Sequence, residues 1–408
     1  MKPKLNQTAP FLIFLLVLPY GISSGFVSIT LPFLLVQHGF TVAATASITA
    51  LGLSANLWRF LWAPLTDLTL TLHKWYLIGT GLCVITLLLL CGIPLTPGSG
   101  ILALIVFCSQ IAATLVVSPV GGFMSETIAH DKKGLAAGWY QAGNTGGMGF
   151  GGGAGIWLCT HYSYQFAIVL LCLVMALCTI ALYFTVRVEP KQPDKFPIRF
   201  ISLFQELKTL FQSPIIIYSF LVIITPIGIG AAAYLFSSIG SDWNAGPDLI
   251  AMINGVVGAI ATVIGCIAGG WLADKLGRWW AFFGAGVIMA FIEIFMAYAA
   301  FTPLSYAVGV VSYDFSFGCA SAAFSAVALH AIGSDNGSTK YALISSFSNI
   351  APVYMTALDG WMHDRYGVKS MLLVESLLGG IFVIISLAIL GLLKKGKSAK
   401  PDASLSIS

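Results

Sequence analysis

GGWLADKLGRWWAFF, residues 269–283, ends one apolar segment and begins the next, and it holds an acid and two bases. Charges are rare in this chain, because only 9% of its residues are Asp, Glu, Lys or Arg and 58% are apolar. Soluble domains carry about a quarter charged residues. The composition therefore excludes an ordinary soluble protein and indicates a membrane protein, in which this stretch lies at the membrane edge between two spans.

Apolar windows long enough to cross a bilayer recur along the whole chain. A helix needs about 20 apolar residues to cross the hydrocarbon core. Unbroken runs of this kind exclude an outer-membrane barrel, whose short strands alternate apolar and polar residues. The windows predict twelve transmembrane helices, numbered here as spans 1 to 12, at residues 10–37, 44–66, 75–93, 101–125, 136–158, 163–186, 214–240, 248–273, 281–300, 304–330, 341–362 and 370–393.

Lys and Arg are concentrated in the segments on one side of these spans. By the positive-inside rule, both termini lie in the cytoplasm and the chain is a multi-pass protein of the inner membrane. The longest polar segment, 187–213, is predicted to be a cytoplasmic linker with a short amphipathic helix, between a six-helix half at 1–186 and a second at 214–393. The tail 394–408 is predicted to be disordered.

The opening stretch also resembles a known motif. Gly270, Asp274, Lys275, Gly277 and Arg278 match the GxxxD(R/K)xGR loop signature of the major facilitator superfamily, in its second position between spans 8 and 9. The resemblance implies an all-α fold of two pseudo-symmetric six-helix halves, and a loop that latches the cytoplasmic side in the outward-open state. A positive-inside loop that happens to contain Asp and Gly is the alternative.

The first half carries only part of this signature. Asp67 follows span 2 but is succeeded by LTLTLHKWY, without a Gly-Arg pair. The predicted cytoplasmic gate consists of Asp67, Glu126, Gly270, Asp274, Lys275, Gly277 and Arg278.

Three further segments resemble one branch of that superfamily. FLWAPLTD (60–67), STKYALISSFSN (338–349) and GWMHDRYG (360–367) are similar to muropeptide permeases, acetyl-coenzyme A transporters and bacterial siderophore importers. Ser338 and Lys340 stand where that branch usually has Ala and Gln. The resemblance implies a siderophore or muropeptide as the transported solute.

Ionisable residues inside spans are functional candidates, because each costs about 2.5–3.5 kcal/mol on insertion scales. Arg59 is expected either to bind an anionic solute or to form an ion pair between helices. Asp314, near the middle of span 10, is the candidate for proton coupling, with a structural hydrogen-bonded acid as the alternative. The superfamily resemblance implies that spans 9 and 12 are peripheral, so Glu293 and Glu375 are weaker candidates, and Glu375 is also expected to lie close to water.

Other polar side chains are expected to line a central cavity or to bond neighbouring helices. Asp359 is expected to pair with Arg365 or to face water. The predicted substrate cavity contains Arg59 together with Tyr20, Gln110, Gln141, Asn144, Tyr234, Asn254, Tyr313 and Asn349. The glycine-rich segment 143–155 lacks the GK(S/T) of a phosphate loop and is predicted to allow close helix contact.

These features predict a secondary active transporter and not an enzyme. It is expected to import an organic solute by alternating access, coupled to protons, and to act as a monomer in the lipid bilayer. The alternatives are a proton-independent facilitator or exporter of a small organic anion, and a non-transporting receptor or enzyme built on the same scaffold. No cofactor, metal ion or nucleic-acid partner is predicted.

Overall fold

The computed structural model describes residues 8–98, 100–129, 132–187, 214–332 and 345–398. These residues are almost all helical, and none of them lies in a β-strand. Eight continuous helical stretches among them are long and apolar enough to cross a membrane: Leu12–Gln37, Leu72–Cys91, Gly100–Glu126, Tyr164–Phe184, Pro247–Leu276, Arg278–Tyr298, Pro303–Ser325 and Ser345–Leu392.

The last of these stretches contains two spans, because Gly367 has φ 82° and ψ 169°, outside helical geometry. Shorter segments form the three remaining predicted spans. They are Val42–Ser54, Ala55–Trp58 and Arg59–Leu68 in span 2, Lys133–Gly149, Phe150–Ala154 and Gly155–His161 in span 5, and Pro214–Ile223, Ala232–Tyr234, Phe236–Ile239 and Gly240–Trp243 in span 7. The all-α fold of twelve membrane helices in two halves is thereby confirmed.

The end of the bundle at which span 1 begins and span 12 ends is called the terminal end, and the opposite end is called the distal end. Spans 1 to 10 begin and end within one helical turn of their predicted limits. Span 12 continues as helix to Ser398, beyond the limit predicted at residue 393. The predicted linker helix lies outside the described residues, as does the tail from residue 399.

The glycine-rich segment of span 5 packs between spans 1 and 8. All three spans contain one turn of π-helix, at Phe26–Thr30, Phe150–Ala154 and Ile253–Val257. A Cβ atom added at Gly255 would lie 2.5 Å from the Cα atom of Gly153, so the two backbones touch. Close helix contact, as predicted, is the role of these glycines.

Span 7 is interrupted near its middle, whereas the sequence predicted a continuous helix. Residues 224–231 are not helical, and Gly228 and Gly230 have φ of 62° and 70°, a region that side chains rarely adopt. A Cβ at Gly230 would also lie 2.5 Å from the ring of Phe317 in span 10. The break is thus specified by glycine and packs against a neighbouring helix.

Large apolar side chains cover the outside of the bundle. They include Leu104, Ile267, Phe291, Leu304, Ile384 and Leu392, all of which are exposed. Such extensive apolar exposure would destabilise a protein in water but is matched by lipid chains.

Candidate functional site

The two halves meet at the distal end through the carboxylate of Asp364, which follows span 11. Its Oδ1 accepts the backbone N–H of Val42 at 3.0 Å, and its Oδ2 accepts that of Ala43, also at 3.0 Å. These groups are the first two N–H groups of span 2, which have no partner inside their own helix. The positive end of the helix dipole favours the carboxylate there. This contact is called the distal latch.

Neighbouring groups extend the distal latch to span 7. Nε2 of His363 lies 2.8 Å from Oδ2 of Asp242, in the last turn of span 7. Nδ1 of the same ring lies 3.6 Å from Oδ1 of Asp364. Gly360 brings span 11 directly against the backbone of span 2, since a Cβ there would lie 3.0 Å from the carbonyl oxygen of Val42. Spans 2, 7 and 11 are therefore joined at one point.

Other contacts between the halves also lie toward the distal end. The hydroxyl of Ser237 in span 7 donates to the carbonyl oxygen of Ile29 in span 1 at 2.7 Å. His161 and Asp248, at the distal ends of spans 5 and 8, are 3.8 Å apart and largely exposed. Together with the touching backbones of spans 5 and 8, these contacts close the distal end.

Arg59 lies at the seam between the halves. Its Nη2 donates to Oγ of Ser345 in the second half at 3.3 Å, and the neighbouring rings of Phe60 and Phe347 stack at 6.5 Å. No carboxylate of the described residues pairs with Arg59. The structure gives no contact between Arg59 and Asp314.

The loop between spans 8 and 9 contains an exposed Asp274 that forms no hydrogen bond or ion pair with the described residues. The ammonium group of Lys275 instead lies 4.3 Å from the ring centre of Trp271. Gly277, with φ 88°, separates the two helices. Arg278 is the first residue of span 9. Among the described residues, the carboxylate of Asp274 therefore has no partner while the distal end is closed.

Of the two neighbouring glycines at the end of span 8, Gly269 packs closely against another helix and Gly270 does not. A Cβ at Gly269 would lie 2.5 Å from the Cα atom of Cys319 in span 10, whereas nothing lies within 4 Å of a Cβ at Gly270. The two positions are 100° apart around the helix, so only one of them faces span 10. Glu126 is an exposed residue in the last turn of span 4, and the side chain of Asp67 lies outside the described residues.

Besides Arg59 and Tyr20, four of the predicted cavity residues bond to other helices or to their own. Gln110 of span 4 lies 3.2 Å from the hydroxyl of Ser24, and Asn254 of span 8 donates to Tyr306 at 2.7 Å. The other two are Tyr313, which donates to Glu375, and Asn349, which donates to the backbone of its own helix.

The remaining predicted cavity residues are Tyr20, Gln141, Asn144 and Tyr234. The hydroxyl of Tyr20 donates to Asn56 at 3.3 Å, and Tyr234 of the opposite half lies within electrostatic range of Tyr20. Oδ1 of Asn144 is buried without a partner among the described residues. Gln141 lies one turn earlier on the same helix and is exposed. The amide oxygen of Asn144 is therefore available to a solute.

Asp314 lies between spans 8 and 10. Its Oδ2 is in contact with Gly258, where a Cβ would collide with it. Asp314 is half-buried and accepts no hydrogen bond from the described residues.

Three other acids lie close together inside the second half, and the sequence did not predict that they would be neighbours. Glu293, Asp359 and Glu375 are at most 3% exposed. The expectations that Asp359 pairs with Arg365 or faces water, and that Glu375 is close to water, are wrong. Arg365 lies 5.8 Å from the ring of Trp361 instead. An acid in each of three apolar spans was the available signal, but only the fold shows that they are neighbours.

A known protein family matches most of this chain. The model of the Major Facilitator Superfamily matches residues 13–356. The chain belongs to this superfamily. It is accordingly a membrane transporter and not an enzyme. No curated protein matches the sequence.

Solved structures of superfamily transporters are similar over nearly the whole chain. A D-xylose-proton symporter has a TM-score of 0.72 at 13% identity, covering 93% of this chain and 95% of its own. The nucleoside transporter NupG has a TM-score of 0.70 at 11% identity, covering 93% and 98%. A POT family transporter in complex with a thioalcohol conjugated peptide has a TM-score of 0.71 at 11% identity, covering 94% and 96%. At these identities, the likeness concerns the fold alone.

Proposed function

We propose that this superfamily member imports an organic solute across the inner membrane by alternating access, coupled to protons that flow inward. The distal latch is the observation that supports this proposal best. Asp364 joins the halves through side chain and backbone groups at their surfaces, so the contact can break without unfolding either half. Alternating access requires such a reversible contact at each end of the bundle.

The distribution of Lys and Arg places the terminal end in the cytoplasm and the distal end outside. On this orientation, the conformation described here is closed to the outside. The lack of a partner for Asp274 among the described residues agrees with it, because a cytoplasmic gate formed by the loop of Gly270, Lys275, Gly277 and Arg278 would engage only when the distal end opens.

Tyr20, Asn144 and Tyr234 are the cavity residues that we expect to contact the solute. Arg59, at the seam, favours an anionic solute such as a carboxylate, because a guanidinium binds carboxylates through two parallel hydrogen bonds. A siderophore or a muropeptide is favoured by the resemblance of FLWAPLTD and STKYALISSFSN. Asp314 remains a candidate for proton coupling.

Transport is tested with purified protein in proteoliposomes. Uptake of a ferric siderophore, a muropeptide and a dicarboxylate is measured with the interior alkaline and again without a pH gradient. We expect one class to accumulate only with the gradient, and Asp314→Asn to exchange that solute without accumulating it. Asp248→Asn, a change at an exposed acid, is the control. Accumulation independent of the gradient would favour the facilitator, and no movement of any class would refute the proposal.

A further inference from the structure

The second half contains a group of acids that the proposed transport cycle does not yet use. Glu293 of span 9, Asp359 of span 11 and Glu375 of span 12 are called the carboxyl cluster. The carboxyl groups of Asp359 and Glu375 lie close enough to interact with each other, and the carboxyl group of Glu293 interacts electrostatically with both. The cluster lies beside the break in span 7.

Hydrogen-bond donors are too few for these carboxyl oxygens. Oε1 of Glu375 accepts the hydroxyl of Tyr313 at 2.9 Å and the N–H of Ala232 at 3.4 Å. No N–H or O–H group of the described residues donates to Oε2 of Glu375 or to either oxygen of Asp359. The hydroxyl of Thr356, one turn before Asp359, is also buried without a partner.

Positive charge is equally scarce around the carboxyl cluster. No Lys, Arg or His of the described residues forms an ion pair with it. The titratable groups facing the cluster are its own three acids and the phenol of Tyr313. An isolated buried carboxylate costs several kcal/mol, and three without a base would repel one another.

Bound protons would supply the missing hydrogen-bond donors and reduce the uncompensated negative charge. Two carboxylates present only acceptors to each other, so Asp359 and Glu375 can form a hydrogen bond only when one of them carries a proton. Each bound proton converts a carboxylate into a carboxylic acid, which removes one negative charge and adds one O–H donor. The described residues contain no group of three His, Cys, Asp or Glu side chains with metal-binding geometry, which favours a proton over a metal ion.

We propose that the carboxyl cluster is a proton-binding site, separate from Asp314, that controls the broken part of span 7. This inference rests on the proposed function for its place in transport. Glu375 holds the N–H of Ala232, which begins the first helical turn after the break at Gly228 and Gly230. When Glu375 releases a proton, it becomes a carboxylate whose hydrogen-bond donors are Tyr313 and the N–H of Ala232. The change in charge therefore alters a hydrogen bond to the backbone of span 7.

Infrared spectroscopy tests the site without a solute. The carboxylic-acid C=O band is recorded at pH 7 for purified protein in ether-lipid vesicles, whose lipids lack ester carbonyls, in H₂O and in D₂O. We expect a band that shifts in D₂O, and a clear loss of its intensity in both Asp359→Asn and Glu375→Gln. Asp248→Asn is the matched control and should lose none, since it changes an exposed acid outside the cluster.

Two results would overturn the proposal. One is an unchanged band in correctly folded Asp359→Asn and Glu375→Gln, with folding checked by the melting temperature. The other result concerns Asp314→Asn, which removes the separate intramembrane acid and leaves the cluster intact. The carboxylic-acid band must persist in that variant. Its absence would mean that the cluster holds no proton. Neither measurement involves transport, so failure of the proposed function would not affect the outcome.

Discussion

Removing the carboxylate of Asp364 should open the distal end. Hydrogen bonds to charged groups contribute about 1.5–3 kcal/mol each, and the side chain of Asp364 is 28% exposed, so we take about 1–2 kcal/mol for each of its two bonds. Asp364→Ala should then weaken the distal-closed state by about 2–4 kcal/mol, a shift of roughly 30- to 900-fold in the ratio of closed to open molecules.

The shift can be measured by electron paramagnetic resonance, which gives the distance between two spin labels. The labels are placed at the exposed distal positions His38→Cys and Lys369→Cys, in a background without the eight native cysteines. Asp248→Ala removes another acid that reaches across the same seam, but in an exposed pair at 3.8 Å. Such a pair contributes below about 1 kcal/mol, so the shift should stay under about fivefold. Identical distance distributions for wild type and Asp364→Ala would refute the reasoning.

Three further changes test the packing and hydrogen bonds of the fold. Gly255→Ala places a methyl group against the backbone of span 5, so we expect a loss of about 1–3 kcal/mol in unfolding free energy, and a smaller loss would show that the two backbones can separate. Gly230→Ala forces a side chain into a strained backbone conformation at positive φ and should also lower the unfolding free energy by about 1–3 kcal/mol. Gly270→Ala is the control for both changes, because the space around its Cβ is open. An equal effect of Gly270→Ala would contradict the steric argument. Tyr306→Phe leaves the buried amide of Asn254 without its 2.7 Å partner and should lose about 1–3 kcal/mol, measured by thermal unfolding, while an unchanged melting temperature would show that water replaces the hydroxyl.

The order and limits of the helices could be predicted from the sequence, because burial in lipid requires a long apolar run for every span. The break in span 7 was missed. Pro226, Gly228 and Gly230 occur in a segment that stays apolar, so hydropathy alone gives a continuous helix. The interruption depends on positive φ and on packing against span 10, neither of which hydropathy records.

The polar site was harder to predict than the helices. Glu375 was ranked below Asp314 because span 12 is peripheral in the superfamily and because Glu375 lies near the outer end of that span, yet Glu375 is buried and bonded to spans 7 and 10. Depth measures the distance to water along the membrane normal, whereas burial also depends on which face of the helix a residue occupies. The carboxyl cluster therefore required the arrangement of five spans.

The carboxyl cluster and the distal latch are connected along two segments of the chain. Asp359 and Asp364 lie five positions apart in one helix, about 7.5 Å along its axis. The short segments of span 7 run from Ala232, held by Glu375, to Asp242, held by His363. A change at the cluster that moves either segment must also alter the geometry of the latch.

This connection predicts that the two sites do not act independently. The effects of Asp359→Asn and Asp364→Asn on the closed-to-open ratio should deviate from additivity by about 0.5 kcal/mol or more, since residues in one coupled network usually interact by that amount. The ratio is measured with the same spin labels in the wild type, the two single variants and the double variant. Asp248→Asn combined with Asp359→Asn is the control, and it should be additive. If both pairs were additive, the opening of the distal latch would be independent of proton binding at the carboxyl cluster.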